Sequence, residues 1–167
     1  MSDTDNTSPS APAPRRREIS GLEFFQQMMA GEIEPPPMVA LLGLRLIAAE
    51  AGRVVFVGTA REAFYNAMGV AHGGWAATLL DTALGCAVNT LQPAGRSFTT
   101  LELKINYTRP LRHEVGEVRC EAVVIHTGHR TAIAEARVVD AAGKIYAHGT
   151  TTCMVVERQP ERDQANV

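Results

Sequence analysis

Residues 66–90 read NAMGVAHGGWAATLLDTALGCAVNT. The stretch opens with turn-forming residues, passes through His72, Gly73 and Gly74, and becomes a long apolar run of mostly small side chains. From Trp75 to Val88 the only charged residue is Asp81, and Thr78 and Thr82 are the only hydroxyls. A helix apolar nearly all round is buried on most sides. The stretch therefore reads as a central helix that the remainder of the chain wraps. An isolated acid inside such a helix costs roughly several kcal/mol unless it is paired, hydrogen-bonded or protonated. Asp81 needs a partner or a task.

Upstream, Ser20 is placed to cap a helix over residues 21–30, with Glu23 at the capping-box position. Leu22, Phe25, Met28 and Met29 fall on one face of it. Gly31 ends that helix, and the prolines at 35–37 prevent its continuation. A short helical turn over residues 37–42 closes at Gly43. Two β-prone runs, 44–51 and 53–60, meet across Ala51-Gly52 as a hairpin.

Downstream, Pro93 and Gly95 break the chain after the central helix. Residues 97–108 alternate, with Leu101, Leu103, Ile105 and Tyr107 on one face and Thr100, Glu102, Lys104 and Asn106 on the other. Runs 115–127 and 130–140 join at Gly128-His129, and a turn at 141–143 leads into a last strand over 144–156. The order helix, β, β, long helix, β, β, β, β defines an α+β fold with a mainly antiparallel sheet. A sheet curled around one helix leaves its other face open, and many outward positions here are apolar or small. Oligomerisation is expected to cover that face.

The 167 residues suit one domain, expected over 18–156, between a flexible tail at 1–17 and a polar tail at 157–167. A net charge of −2 provides no basic field for nucleic acid, and Arg15-Arg16-Arg17 reads as a solvated run at the domain edge. No apolar stretch has the length of a membrane span or forms a signal core. Cys86, Cys120 and Cys153 are an odd number in apolar settings, which fits buried thiols in the cytoplasm. The chain lacks a G-x-S-x-G elbow, an H-E-x-x-H pair, a C-x-x-C pair and glycine-rich phosphate loops. His126 and His129 lie at a hairpin turn with no Cys or carboxylate beside them, too few ligands for a metal. Cys86 has no nearby His to activate it.

What remains is a constellation of Asn66, His72, Gly73 and Asp81. The first N–H groups of a helix lack intrahelical partners and favour an anion. Glycine permits close approach, so Gly73 suits an oxyanion hole, to which Asn66 adds an amide donor. The structural alternative is that Gly73-Gly74 only permits a tight entry into the helix and Asn66 only shapes a turn. Asp81 lies eight residues beyond Gly73, roughly 12 Å along a helix at about 1.5 Å per residue, and points some 80° away. One carbonyl cannot touch both within a single chain. If both act on one substrate, Asp81 comes from a second subunit across a two-fold axis. Otherwise Asp81 bonds Thr78, Thr82 or a sheet hydroxyl and only supports packing.

The spaced set Asn66, His72, Gly73, Gly74, Asp81 resembles the Asn-x5-His-Gly-Gly-x6-Asp pattern of hot-dog acyl-CoA thioesterases, in the phenylacetate-degradation (PaaI-like) branch. The likeness extends over residues 36–156, including TTLELKINYTRP and RVVDAAGKIYAHGTT. It implies a hot-dog fold, a homodimer or homotetramer, an acyl-CoA substrate, and neither cofactor nor metal. Asp81 would be the nucleophile or the general base, and the Gly73 N–H would polarise the thioester carbonyl. Asn66 would hold that carbonyl or the water, His72 would orient the thioester end or Asn66, and Thr100 would stand near the attacking water. Gly74 and Arg130 fall to substrate binding, Arg130 as one of several cations at strand ends (with Arg109, Arg112 and His129) that face the CoA phosphates in relatives.

Two other classes compete. Hot-dog hydratases resemble Asp-x4-His and the dehydratases His-x13-Glu; no Asp here has a His five positions on, and the dehydratase acid position is Cys86. A non-catalytic acyl-CoA sensor would tend to lose the acid and gain a DNA-binding segment, whereas Asp81 is present.

Overall fold

The computed structural model describes residues 18–157. The expected tail at 1–17, the arginine run at 15–17 and all but Glu157 of the expected tail at 157–167 lie outside these residues. The elements are α1 (Gly21–Met29), α2 (Pro37–Leu41), β1 (Arg45–Glu50), β2 (Arg53–Thr59), α3 (Gly73–Thr90), β3 (Arg96–Tyr107), β4 (Glu117–Thr127), β5 (Thr131–Val139) and β6 (Ile145–Glu157). Short 3-10 turns cover Glu62–Phe64 and His113–Val115, so Val115 precedes β4 instead of opening it. Glu157 closes the last strand and does not begin a tail.

The six strands form one antiparallel sheet in the order β1-β2-β4-β5-β6-β3, and α3 lies across one face. The packing follows from residue size. On β5, Ala132, Ala134, Ala136 and Val138 turn inward while Thr131, Ile133, Glu135 and Arg137 stay exposed. Val118, Cys120 and Ala122 do the same on β4. Such small side chains let the helix approach the sheet closely. Leu79, Leu80, Ala83, Leu84, Ala87 and Val88 of α3 are fully buried there. The α3 stripe that includes Gly74, Ala77, Thr78, Asp81 and Thr82 is only partly covered or exposed.

The capping-box expectation for α1 holds at Ser20, whose hydroxyl accepts from the Glu23 N–H at 3.2 Å. The expected apolar face is corrected. Phe24 and Phe25 are buried with Ile19, whereas Met29 is 46% exposed. The helix seats on β1 and the C-terminal end of α3, and that contact selects Phe24 over Met29.

Strand β3 also departs from simple alternation. Thr100 pairs with Cys153, but Glu102 pairs with the next residue, Thr152, leaving Leu101 as an extra residue in a bulge. A bulge shifts the side-chain parity of the residues beyond it. Thr100 therefore shares the helix-facing side with Leu103, Ile105 and Tyr107, and Leu101 is 57% exposed. Thr151 Oγ1 donates to the Glu102 carbonyl at 2.7 Å, satisfying the displaced backbone. Among the described residues, strand β3 pairs only with β6, which leaves the other edge of its 12 residues open.

Candidate active site

The helix entry is built from a turn and a cap. Within residues 66–70 the Asn66 N–H donates to the Val70 carbonyl at 2.8 Å, and the Gly69 N–H donates to the Asn66 carbonyl at 3.0 Å. Asn66 Oδ1 accepts from the Met68 N–H at 2.9 Å and from the Val70 N–H at 3.5 Å. Asn66 does shape a turn. Its amide N–H₂ has no protein partner among the described residues. Arg112 Nη1 donates to the Gly69 carbonyl at 3.2 Å and holds the turn from outside.

His72 is the N-cap of α3. Its Nδ1 accepts from the Gly74 N–H at 2.9 Å, which leaves the ring proton on Nε2. The His72 N–H donates to the Phe64 carbonyl, and the His72 carbonyl accepts from the Trp75 N–H. The cap thus occupies the Gly74 N–H, and any contact of Gly74 with a substrate would use other atoms. The Gly73 N–H keeps no protein partner among the described residues and sits at the positive end of an 18-residue helix. Gly73 and Asn66 line a cavity of about 430 Å³ with Ala76, Tyr107, Val138 and Ala147, and Arg109 also borders it.

Asp81 lies two turns along α3. It is half-buried in the single chain and not enclosed as its sequence context suggests. Its Oδ1 accepts a hydrogen bond from Thr100 Oγ1 at 3.1 Å, the sheet-hydroxyl contact that the sequence left open. Cys153, Thr100's partner across the ladder, is fully buried. Burial pushes its thiol above the ordinary range and the Asp81 charge adds to this, while hydrogen bonding with the Thr151 and Thr100 hydroxyls opposes it. It is no thiolate nucleophile.

One chain therefore holds the predicted residues in two separate clusters. Asn66, His72 and Gly73 come together at the N-terminus of α3, and Asp81 and Thr100 meet further along. Arg130 does not line the Gly73 cavity. Its carbonyl accepts from the Val155 N–H, whereas the cavity is reached by Ala147, eight residues away on β6. That separation is roughly 26 Å at about 3.3 Å per residue. Arg109 is the cation beside the cavity, and its Nη1 donates to the Ile145 carbonyl at 2.6 Å. Tyr107 was not singled out by the sequence: its hydroxyl donates to the Gly73 carbonyl at 3.0 Å. The available signal was its place at the end of an alternating strand, just before Arg109-Pro110.

Comparison with known proteins assigns the class. The thioesterase superfamily model matches residues 68–147. A provisionally named esterase of Saccharolobus solfataricus is 33% identical over 106 residues, 64% of this chain and 74% of that protein. A second, from Halobacterium salinarum, is 38% identical over 84 residues, and the chain spans about half of its length (54%). Among solved structures, a Ralstonia eutropha JMP134 protein described as a thioesterase related to phenylacetic acid degradation superposes with a TM-score of 0.72 at 28% identity, covering 78% of this chain and 98% of that one. An Asn-to-Asp variant of the phenylacetic acid degradation protein PaaI from Thermus thermophilus gives 0.65 at 32% identity, covering 71% and 98%. The chain belongs to the thioesterase superfamily and has its hot-dog fold. Its structural neighbours include the PaaI-like members.

Proposed function

We propose that the protein is an acyl-CoA thioesterase that hydrolyses an aryl- or medium-chain acyl-CoA to the free acid and CoA. One observation carries this reading: Gly73, whose N–H has no protein partner among the described residues, lines a cavity at the start of the helix that carries the Thr100-bound Asp81. The thioester carbonyl oxygen accepts from the Gly73 N–H and the Asn66 amide. Charge developing on that oxygen meets a preoriented donor, a contribution of about 2.7–4 kcal/mol per donor.

The acid comes from a second copy. On one route the Asp81 carboxylate takes a proton from water, and the hydroxide adds to the carbonyl carbon. The tetrahedral oxyanion then collapses, the C–S bond breaks, and the departing CoA thiolate takes the proton. On the other, the carboxylate attacks directly, expels the thiolate, and water cleaves the resulting anhydride. Both require Asp81, and Thr100 orients it in either case.

Assembly as a homodimer, or a homotetramer made of two dimers, follows the same logic. The open β3 edge is long enough to pair with a second copy, and unprotected edges are uncommon in stable proteins. Ile47, Val123, Ile125, Ile133 and Met154 are large apolar residues left exposed, enough for a second interface. No helix among the described residues is long and apolar enough to cross a membrane. Cys120 and Cys153 are buried thiols outside any disulfide, which fits a reducing compartment, so we place the enzyme in the cytoplasm. Arg109, beside the cavity, is better placed than Arg130 to meet the CoA of a substrate held at the Gly73 of its own chain.

The test is thiol release from a panel of aryl- and alkyl-CoA thioesters, with Asp81→Asn in parallel. Turnover that the variant abolishes supports the reading. Saturable acyl-CoA binding with no turnover in the wild type overturns it in favour of a sensor.

A further inference from the structure

We infer that Tyr107 is a positioning residue that fixes the direction of the Gly73 N–H by clamping the peptide between Gly73 and Gly74. This peptide is held at both ends by side chains from different places. Its carbonyl oxygen accepts from Tyr107 Oη at 3.0 Å, and its N–H donates to His72 Nδ1 at 2.9 Å. The preceding peptide, which bears the Gly73 N–H, is pinned through the His72 carbonyl by the Trp75 N–H at 2.9 Å. The torsions of Gly73 therefore lie between two tethered planes. Two consecutive glycines would otherwise be the softest point in the helix entry, because glycine loses the most conformational freedom on ordering.

Tyr107 also tethers the helix to the sheet. It is the last residue of β3, and a Cβ placed on Gly73 would lie 3.2 Å from its ring. The hydroxyl has one proton, and Gly73 takes it. Tyr107 thus acts through Gly73 and is not itself an oxyanion donor. Its phenol forms a wall of the same cavity, so a loosened tether would be felt where the carbonyl oxygen must sit. Donors misdirected by a fraction of an ångström contribute little in the transition state.

The kinetic part of the inference rests on the thioesterase reading, so the experiment has a second arm that does not. Tyr107→Phe keeps the ring and removes only the donated hydrogen bond. Its kcat is expected to fall about tenfold, part of the effect of losing an oxyanion donor, while KM and melting temperature stay near wild type. Amide exchange of Gly74, measured by NMR on the intact protein, is expected to quicken in the variant, because its bond to His72 loses its counterpart. Unchanged kcat, or a loss of kcat that merely tracks a lower melting temperature, would overturn the inference. Unchanged Gly74 exchange would overturn it as well, even if the wild type hydrolysed none of the thioesters tried.

Discussion

Thr100 Oγ1 donates to Asp81 Oδ1 at 3.1 Å, joining the middle of α3 to the strand at the open edge of the sheet. This bond depends on the bulge at Leu101, because unbroken alternation from Leu103 would turn Thr100 away from the helix. Asp81→Asn retains the bond's shape but not the charge or basicity. Its turnover is expected to fall a hundredfold or more, the scale of removing an acid/base group, with the oligomer intact by light scattering. Thr100→Ala, which keeps the carboxylate but frees its orientation, is expected to lose about tenfold and Thr100→Ser much less. Unchanged turnover in Asp81→Asn would remove Asp81 from the mechanism.

A site divided between two copies can be rebuilt from two damaged chains. In the proposed shared site Asn66→Ala harms one half and Asp81→Asn the other, so each homodimer would have two defective sites. A mixed dimer has one site carrying both lesions and one carrying neither. Unfolding the two variants together and reassembling them is expected to restore activity, up to about half of a wild-type dimer's in each mixed dimer by two-fold symmetry. Tandem tags would isolate the mixed species. An inactive mixed dimer would mean that the halves are not shared.

Much of this was legible in the sequence because it rests on local rules. The alternation of residues 66–90 between turn formers, glycines and small apolar residues marks both the helix start and its burial. The spacing from Gly73 to Asp81 sets their separation through helix geometry alone. What local pattern could not supply was tertiary. Leu101 continues a clean period of two, and nothing near it announces a bulge; the break appears only against Cys153 and Thr152, some fifty residues on. Phe24 and Met29 change roles because of where β1 and α3 lie. Tyr107 becomes relevant only because the end of β3 meets the start of α3. The burial of Asp81 was overestimated for a different reason: an apolar stripe of small residues can be covered by a second copy as well as by its own chain.

The N-terminal helix offers a test of the fold away from the site. The Gly21 N–H donates to the Gln92 carbonyl at 2.9 Å, and a Cβ on Gly21 would fall 1.8 Å from the Asn89 carbonyl oxygen. A backbone atom cannot swing aside as a side-chain tip can. Gly21→Ala must lift α1 from the end of α3, at a cost of about 1–3 kcal/mol, as overpacking generally does. A lower melting temperature with near-normal turnover at low temperature is expected. A wild-type melting curve would show that the α1 seat is looser than the packing implies.

The proposed shared site also implies how two copies would meet. Suppose the open edges of two β3 strands pair antiparallel, so that Thr100 of one chain lies opposite Tyr107 of the other. Counting inward and letting Leu101 bulge in both strands, Glu102 falls opposite Asn106 and Leu103 opposite Ile105. Lys104 then meets its own copy on the two-fold axis. Every opposed pair in this register shares a face, as a ladder demands. Directly opposed Cβ atoms are about 4.5–5.5 Å apart, within easy adjustment of disulfide geometry. Lys104→Cys is therefore expected to form a covalent dimer on mild oxidation, read on a non-reducing gel. Asn106→Cys lies on the same face but two residues from the axis, so its two copies are roughly 13 Å apart, about four residues of strand. It is expected to stay monomeric on that gel. Cross-linking of Asn106→Cys in place of Lys104→Cys would shift the axis and separate Asp81 from Gly73 of the other chain.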